Sequence, residues 1–439
     1  MKHTLLLFVA LISFGSLAQN LPAGDPVHLG LSKEGLARVD AFLAKESENQ
    51  HIPGSIGMIV RHGKVAYKKA FGKANLETGE AMRTDHLFRM ASMTKIITGV
   101  AGLKLFERGL FTMDTPLETI LPEFANMQIL VGYDTLKHQF ITRPAKNKIL
   151  MKHVFTHTSG IAYPPFSSLG REGYLNAGIT IAFPKGDTKL TIAEIIRGVA
   201  KLPLVHEPGE SWTYGMNLEV LGRVIEVLDG RTFADFLRQE IFTPLKMTRT
   251  FVGVTPNEWK NMSQVYTQDK SGKKSVYTDE AGKRLLGFSA DMSMDYYKNT
   301  NTPLAMGGTD VVSNVDDYAR FFQMFLNYGE LDGARILSKK TIEMIEKPLF
   351  DVATNDGVAK GVTGRSQFKA GVTVYVYPEE QAKFETISAG TYFWKGYFGT
   401  QFWVDRKEDM IGMVFLQIAP EPTRFNEKFR HLAWGSIAK

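Results

Sequence analysis

Strand-like sequence stands at the two ends of this chain and helix-like sequence fills the stretch between them, which restricts the architecture more than any other property. Near the start, Ser32 precedes a segment in which Leu36, Val39, Phe42 and Leu43 recur at helical spacing, with Glu34 in the first turn. That pattern predicts a helix capped by Ser32. Residues 56–60 and 65–67 flank Arg61-His62-Gly63-Lys64 and predict a β-hairpin. From Ser92 onward Ile96, Val100, Leu103 and Phe106 repeat with a helical period until Gly109. Further helices are expected over 190–200, 218–228, 233–240, 315–328 and 339–346. Strand patterns return at 371–377, 384–393, 400–405 and 410–418, before a closing helix from about 423. Strands so far apart in sequence share one sheet only if the middle is an insertion. The expected class is therefore α+β: an antiparallel sheet flanked by the N- and C-terminal helices, with a mainly helical subdomain inserted. The boundaries fall at 31–90 and 365–435 for the α/β part and 91–364 for the helical part. Stretches 123–148, 163–189 and 257–301 carry no clear period and are expected to line a cleft.

There is no cysteine among the 439 residues, which removes disulfides, thiolate metal sites and thiol nucleophiles. Core burial alone must hold the fold, and 44% hydrophobic residues at this length allow a large core. The net charge of +6 is spread among acidic residues without a basic stripe, which argues against nucleic acid as a partner. Lys2, the apolar run 4–14 and Ser16-Leu17-Ala18 have the order of a signal peptide over 1–18, cleaved after Ala18. The expectation is a secreted or periplasmic protein. The run is too short to span a bilayer and no later one reaches about 18 apolar residues, so no stable membrane anchor is expected.

The chemistry is concentrated in Ser92-Met93-Thr94-Lys95. A hydroxyl and an amine three apart on a helix share one face. At the start of that helix, free N–H groups and the helix dipole favour developing negative charge. The ammonium lowers the cost of an alkoxide or, when desolvated, its amine accepts the proton. S-x-x-K is common by chance, and its weight here comes from two later segments. These are Trp212-Thr213-Tyr214-Gly215-Met216-Asn217 and Phe393-Trp394-Lys395-Gly396-Tyr397-Phe398-Gly399-Thr400. His153 and His157 stand four apart but lack the intervening Glu of a zinc protease, so a structural role is expected for them. No G-x-S-x-G elbow exists, which argues against an α/β-hydrolase triad, and there is no P-loop or dinucleotide fingerprint; neither metal nor organic cofactor is expected.

Together the three segments resemble the three motifs of the serine β-lactamase and penicillin-binding-protein superfamily, closest to the class C-like branch that includes the family VIII carboxylesterases. Met113-Asp114-Thr115-Pro116-Leu117, His157-Thr158-Ser159-Gly160 and Gly307-Gly308-Thr309-Asp310 line up in the same order, and the likeness spans residues 31–435. It implies a β-lactamase/transpeptidase-like fold, with Ser92 as the acylated nucleophile and Lys95 and Tyr214 as the base pair. It also implies an oxyanion hole made by the backbone N–H groups of Ser92 and Tyr397, with Gly396 letting substrate approach the strand. Two departures stand out. Asn217 comes three residues after Tyr214 where the family usually has Tyr-x-Asn, so it is either a substrate contact or the N-cap of helix 218–228. Trp394 replaces the usual Lys or His, and Lys395 beside it faces the other way along a strand. Trp394 is then an apolar substrate surface or plain strand core. The implied activity is hydrolysis of a small-molecule ester or cell-wall-like substrate through a covalent acyl-enzyme. The alternatives are a D-amino-acid-specific peptidase, a weak class C-like β-lactamase, or a non-catalytic envelope protein that binds peptidoglycan or penicillin.

Overall fold

The computed structural model describes residues 20–163, 170–179, 188–269, 271–286, 293–298, 304–352, 368–383, 385–422 and 424–438. At its centre is one antiparallel sheet, assembled from both ends of the chain. Its strands are β1 (Gly54–Arg61), β2 (Lys64–Gly72), β3 (Phe350–Asp351), β4 (Lys369–Ala370), β5 (Tyr375–Val376), β6 (Tyr392–Lys395), β7 (Gln401–Asp405) and β8 (Met410–Phe415). Their spatial order is β3-β4-β5-β6-β7-β8-β1-β2, so the N-terminal hairpin pairs through β1 with the last long strand. In the β1–β2 turn, His62 and Gly63 have φ of 51° and 71°. Two positive values in a two-residue loop match the right-handed twist of the strands it joins.

Helices cover both faces of the sheet, and β1 is accordingly buried at every position. Helix α1 (Lys33–Glu48) starts at Ser32, whose Oγ accepts from the Gly35 N–H. It shares one face with the C-terminal helix Phe425–Trp434: a methyl group on Gly57 would meet Leu43 and Phe429 together. On that face Trp403 stacks against Trp434, with ring centroids 5.0 Å apart. Phe402 points the opposite way and stacks on Phe322, from the helix Val315–Leu326, at 3.9 Å and 24°. Between that face and the helical part runs α2 (Thr94–Glu107), buried from Thr94 through Leu103. Lacking a polar face, it is a core helix, and its first turn sits deep in the protein.

Several expected elements take a different form. The stretch 123–148 contains a β-hairpin, Gln128–Asp134 with Gln139–Pro144, whose alternation is broken by a register shift between Leu130 and Gly132. The stretch 257–301 holds short strands at Tyr266–Gln268 and Lys274–Val276 and a helix at Asp279–Leu286. Most of 163–189 lies outside the described residues. Of the strand expected at 371–377 only β5 (Tyr375–Val376) forms; before it, 371–374 make the turn from β4, with Thr373 at φ 62°. Of the strand expected at 384–393 only the last two residues are strand, where β6 begins at Tyr392; 385–391 form bends and a turn after the short helix Glu379–Ala382. The segment 410–418 divides between β8 and Ile418–Ala419, which pairs in parallel with Tyr266–Gln268 in a separate sheet. No described helix is long and apolar enough to cross a membrane.

Replacing Phe402 by Ala empties the stack between sheet and helix, and the variant should lose about 3–5 kcal/mol of stability. Denaturant titration followed by circular dichroism measures it; a loss under about 1 kcal/mol would contradict this packing.

Candidate active site

Three segments distant in sequence meet at the start of α2. The chain enters along Phe88–Arg89, which pairs with Val311–Ser313, and then turns sharply. Ala91, the residue before Ser92, is held at φ 45°, a left-handed conformation that costs a non-glycine residue energy. That turn opens the short 3-10 segment Ala91–Met93, so Ser92 sits just ahead of α2 and not within its first turn. Lys95, in that first turn, is fully buried, whereas Ser92 is half-buried.

The hydroxyl, the phenol and the amine converge. Ser92 Oγ lies 2.7 Å from Tyr214 Oη. Lys95 Nζ lies 3.4 Å from Ser92 Oγ and 5.1 Å from the centroid of the Tyr214 ring. The amine also donates to the Gly308 carbonyl at 2.9 Å and to Tyr163 Oη at 3.2 Å, and Tyr163 donates in turn to Glu219 Oε1 at 2.5 Å. Burial, with the Glu219 carboxylate behind it, holds the Tyr163 phenol well above its ordinary range. Burial raises the Glu219 carboxyl as well, and Lys95 opposes that rise.

The third segment closes the other side. Beyond β6, the Gly396 N–H donates to the Thr400 carbonyl at 2.7 Å. A Cβ on Gly396 would fall 2.4 Å from the Met90 carbonyl oxygen. Only glycine lets this backbone lie against the turn that carries Ser92.

A family model described as Beta-lactamase matches residues 39–433. The chain belongs to the beta-lactamase family. Protein Rv1367c of Mycobacterium tuberculosis is 26% identical over 376 residues, covering 84% of this chain and 87% of its own. Esterase EstB of Burkholderia gladioli is 33% identical over 237 residues, 54% of this chain and 56% of its own. Among solved structures, EstCE1, a hydrolase with promiscuous acyltransferase activity, superposes with a TM-score of 0.76 at 21% identity, covering 92% of this chain and 99% of that one. Simvastatin synthase (LovD) from Aspergillus terreus gives 0.74 at 20%, with the same two coverages. These superpositions establish the shared beta-lactamase/transpeptidase-like fold.

Within this beta-lactamase fold, Trp394 is packed on both sides. It lies 4.3 Å from Tyr375, 5.8 Å from Tyr214 and parallel to His157 at 6.3 Å and 5°. It is buried strand surface and also the aromatic wall beside the Tyr214 phenol. Lys395 turns away, its Nζ 3.7 Å from Glu421. Asn217 is the first helical residue of Asn217–Asp229, with Met216 at the N-cap, so it does not cap that helix. Its buried side chain ties down the 157–161 loop: Oδ1 accepts from Ser159 Oγ at 2.6 Å, and Nδ2 reaches His157 Nδ1 at 3.2 Å and the Ile161 carbonyl at 3.4 Å. The structure thus gives Asn217 a scaffolding position one layer behind Tyr214.

Tyr163, Glu219 and the Gly308 carbonyl escaped the sequence reading. Glu219 carried no sign in the sequence: at helical spacing it shares its face with Arg223 and Glu226, as a solvent-facing acid would. Both histidines are built into the scaffold. Burial, then Lys95, pushes His157 well below its ordinary value. His153 Nδ1 accepts from the Leu150 N–H at 3.1 Å, and burial lowers its pKa to about 4.

The unfolded chain takes up a proton on His153 near pH 6.5, which the native state resists until about pH 4. Stability from the neutral ring is therefore complete above pH 6.5 and is lost as pH falls toward 4. His153→Gln keeps an acceptor for Leu150, and its Tm should fall less than that of the wild type between pH 7 and pH 4.5. Parallel Tm profiles would refute the assignment.

Proposed function

We propose that this member of the beta-lactamase family is an exported carboxylesterase that works through an acyl-enzyme on Ser92, with Lys95 and Tyr214 as the base pair. The observation that carries the reading is the 2.7 Å contact between Ser92 Oγ and Tyr214 Oη, with the buried Lys95 amine beneath both. Tyr214 Oη takes the hydroxyl proton as Ser92 Oγ adds to the ester carbonyl, the ammonium nearby favouring the phenolate. The phenol then protonates the departing alkoxide. In the second half Tyr214 draws a proton from water, hydroxide adds to the acyl carbon, and the acid leaves as Ser92 regains its hydrogen. The N–H groups of Ser92 and Tyr397 receive the oxyanion, a role that the Gly396 backbone lying against Met90 supports.

Trp394 decides between substrates. A cation at this position would hold a substrate carboxylate, whereas an indole packed on Tyr375 and His157 offers apolar surface, and Lys395 is engaged by Glu421. A neutral ester suits that wall better than an anionic peptide or β-lactam. The similarity to Esterase EstB agrees with this choice. Acyl transfer is a second outcome of the same intermediate, with an alcohol replacing water; the relative named Acyltransferase mokF, of Monascus pilosus and 27% identical, favours it.

A fluorophosphonate probe should label the wild type and leave Ser92→Ala unlabelled; equal labelling of both would reject the nucleophile. Tyr214→Phe, which keeps the ring packing, should slow acylation by about 10²–10⁴-fold. p-Nitrophenyl butyrate should be cleaved faster than nitrocefin or a D-Ala-D-Ala peptide, and faster peptide cleavage would overturn the role given to Trp394. Mass spectrometry of protein recovered outside the cytoplasm should find a chain beginning at Gln19, and an intact Met1 there would reject cleavage of a signal peptide.

A further inference from the structure

Glu219 stands in the first turn of Asn217–Asp229, fully buried. A buried carboxylate needs compensation for its charge; here Oε1 accepts from Tyr163, while Oε2 is buried without a hydrogen-bond partner among the described residues. A methyl group on Gly308 would fall 1.9 Å from Glu219 Oε1. The glycine whose carbonyl accepts from Lys95 therefore also makes room for the carboxylate. Gly308, Glu219 and Tyr163 together enclose the amine from behind, while Ser92 meets it from the cleft side.

We propose that Glu219, acting through Tyr163, is a positioning residue that fixes the direction of the hydrogen-bond chain and so aims the Ser92 proton at Tyr214. The inference rests on the Ser92–Lys95–Tyr214 reading. Tyr163 has one O–H, and Glu219 Oε1 receives it at 2.5 Å. Toward Lys95, Tyr163 then presents only lone pairs, as does the Gly308 carbonyl. An ammonium has three N–H donors. Two go to Tyr163 and Gly308, at 3.2 and 2.9 Å, and the third faces Ser92 Oγ at 3.4 Å. A serine oxygen that accepts from Lys95 keeps its own hydrogen for the phenol 2.7 Å away. Replacing the carboxylate with a group that also donates frees Tyr163 to turn its O–H toward the amine, and the order is lost.

The charged and titratable neighbours define what a substitution changes. Lys95 on α2 is the cation. Tyr163 comes from the 157–163 loop, Tyr214 precedes the helix carrying Glu219, and His157 is kept neutral by burial and by Lys95. Asp310 is engaged by the Met306 N–H at 2.6 Å, by Thr309 Oγ1 at 2.7 Å and by Tyr296 Oη, and burial pushes its pKa up to about 7. Glu219 is therefore the carboxylate joined to Lys95 through a single phenol. Loss of its negative charge loosens a proton on a neighbouring ammonium and eases loss of one from a neighbouring phenol. Both effects act in the same direction on pH.

The test is kcat/KM for p-nitrophenyl butyrate and the rate of fluorophosphonate labelling from pH 5.5 to 10, for wild type, Glu219→Gln, Glu219→Asp and Tyr163→Phe, with Tm alongside. In Glu219→Gln both limbs of the profile should move to lower pH by about one unit, with a maximum about tenfold or more below wild type. Glu219→Asp keeps the charge and should hold both limbs in place while restoring part of the rate. Limbs that stay put in Glu219→Gln, or move to higher pH, overturn the proposal and leave Glu219 a packing residue. Should Glu219→Gln fail to fold, Tyr163→Phe decides: labelling slowed about tenfold at unchanged Tm supports the chain, and an unchanged rate overturns it. A wild type that the probe does not label defeats the Ser92 reading itself, an outcome distinct from immobile limbs in a labelled enzyme.

Discussion

The organisation of this protein depends on an amine carried at zero exposure in the first turn of a core helix. A buried ammonium without partners is too costly to keep charged. Lys95 is therefore matched by the Gly308 carbonyl, the Tyr163 phenol and, beyond that phenol, a buried carboxylate. Each partner comes from a different part of the inserted region, and each must be in place before the amine is satisfied. Through this one group, segments around residues 163, 219 and 308 are tied to the start of the core helix. The side that reaches solvent is left to Ser92 and Tyr214, the half-buried members of the set.

Much of this was legible in the sequence because it follows from local rules. The Ser32 cap, the positive-φ turn at His62-Gly63 and the core helix after Ser92 each follow from spacing and residue type within a few positions. The class of fold followed from where the strand patterns lie. Bringing Ser92, Lys95 and Tyr214 to one place required the family likeness, since no periodicity relates positions 92 and 214. What stayed hidden was set by tertiary contact. The hairpin over 128–144 has an exposed second strand and a bulge, so its alternation is weak. The left-handed Ala91 carries no sequence mark, because alanine does not announce positive φ. Asn217 looked like a ligand contact or a cap and is instead a brace for the 157–161 loop. Glu219 and Tyr163 gain meaning only when the Lys95 amine is seen between Tyr163 and Gly308.

An aromatic wall adjoins Ser92 and Tyr214. Trp394, Tyr375, His157, Trp212 and Tyr214 form a continuous aromatic cluster beside Ser92. The indole therefore does two jobs at once: it packs the end of the sheet and it removes positive charge from the cleft. Changing it to a cation places charge against the faces of Tyr375 and His157 and strips packing from the reactive phenol.

The most direct measurement is a crystal structure of the enzyme reacted with an alkyl p-nitrophenyl phosphonate, which mimics the tetrahedral stage of ester cleavage. The account predicts phosphorus bonded to Ser92 Oγ, the phosphoryl oxygen held by the backbone N–H groups of Ser92 and Tyr397, and Tyr214 Oη within hydrogen-bonding distance of Ser92 Oγ. Phosphorus on another residue, or a phosphoryl oxygen turned to solvent with Tyr214 swung away, would contradict it.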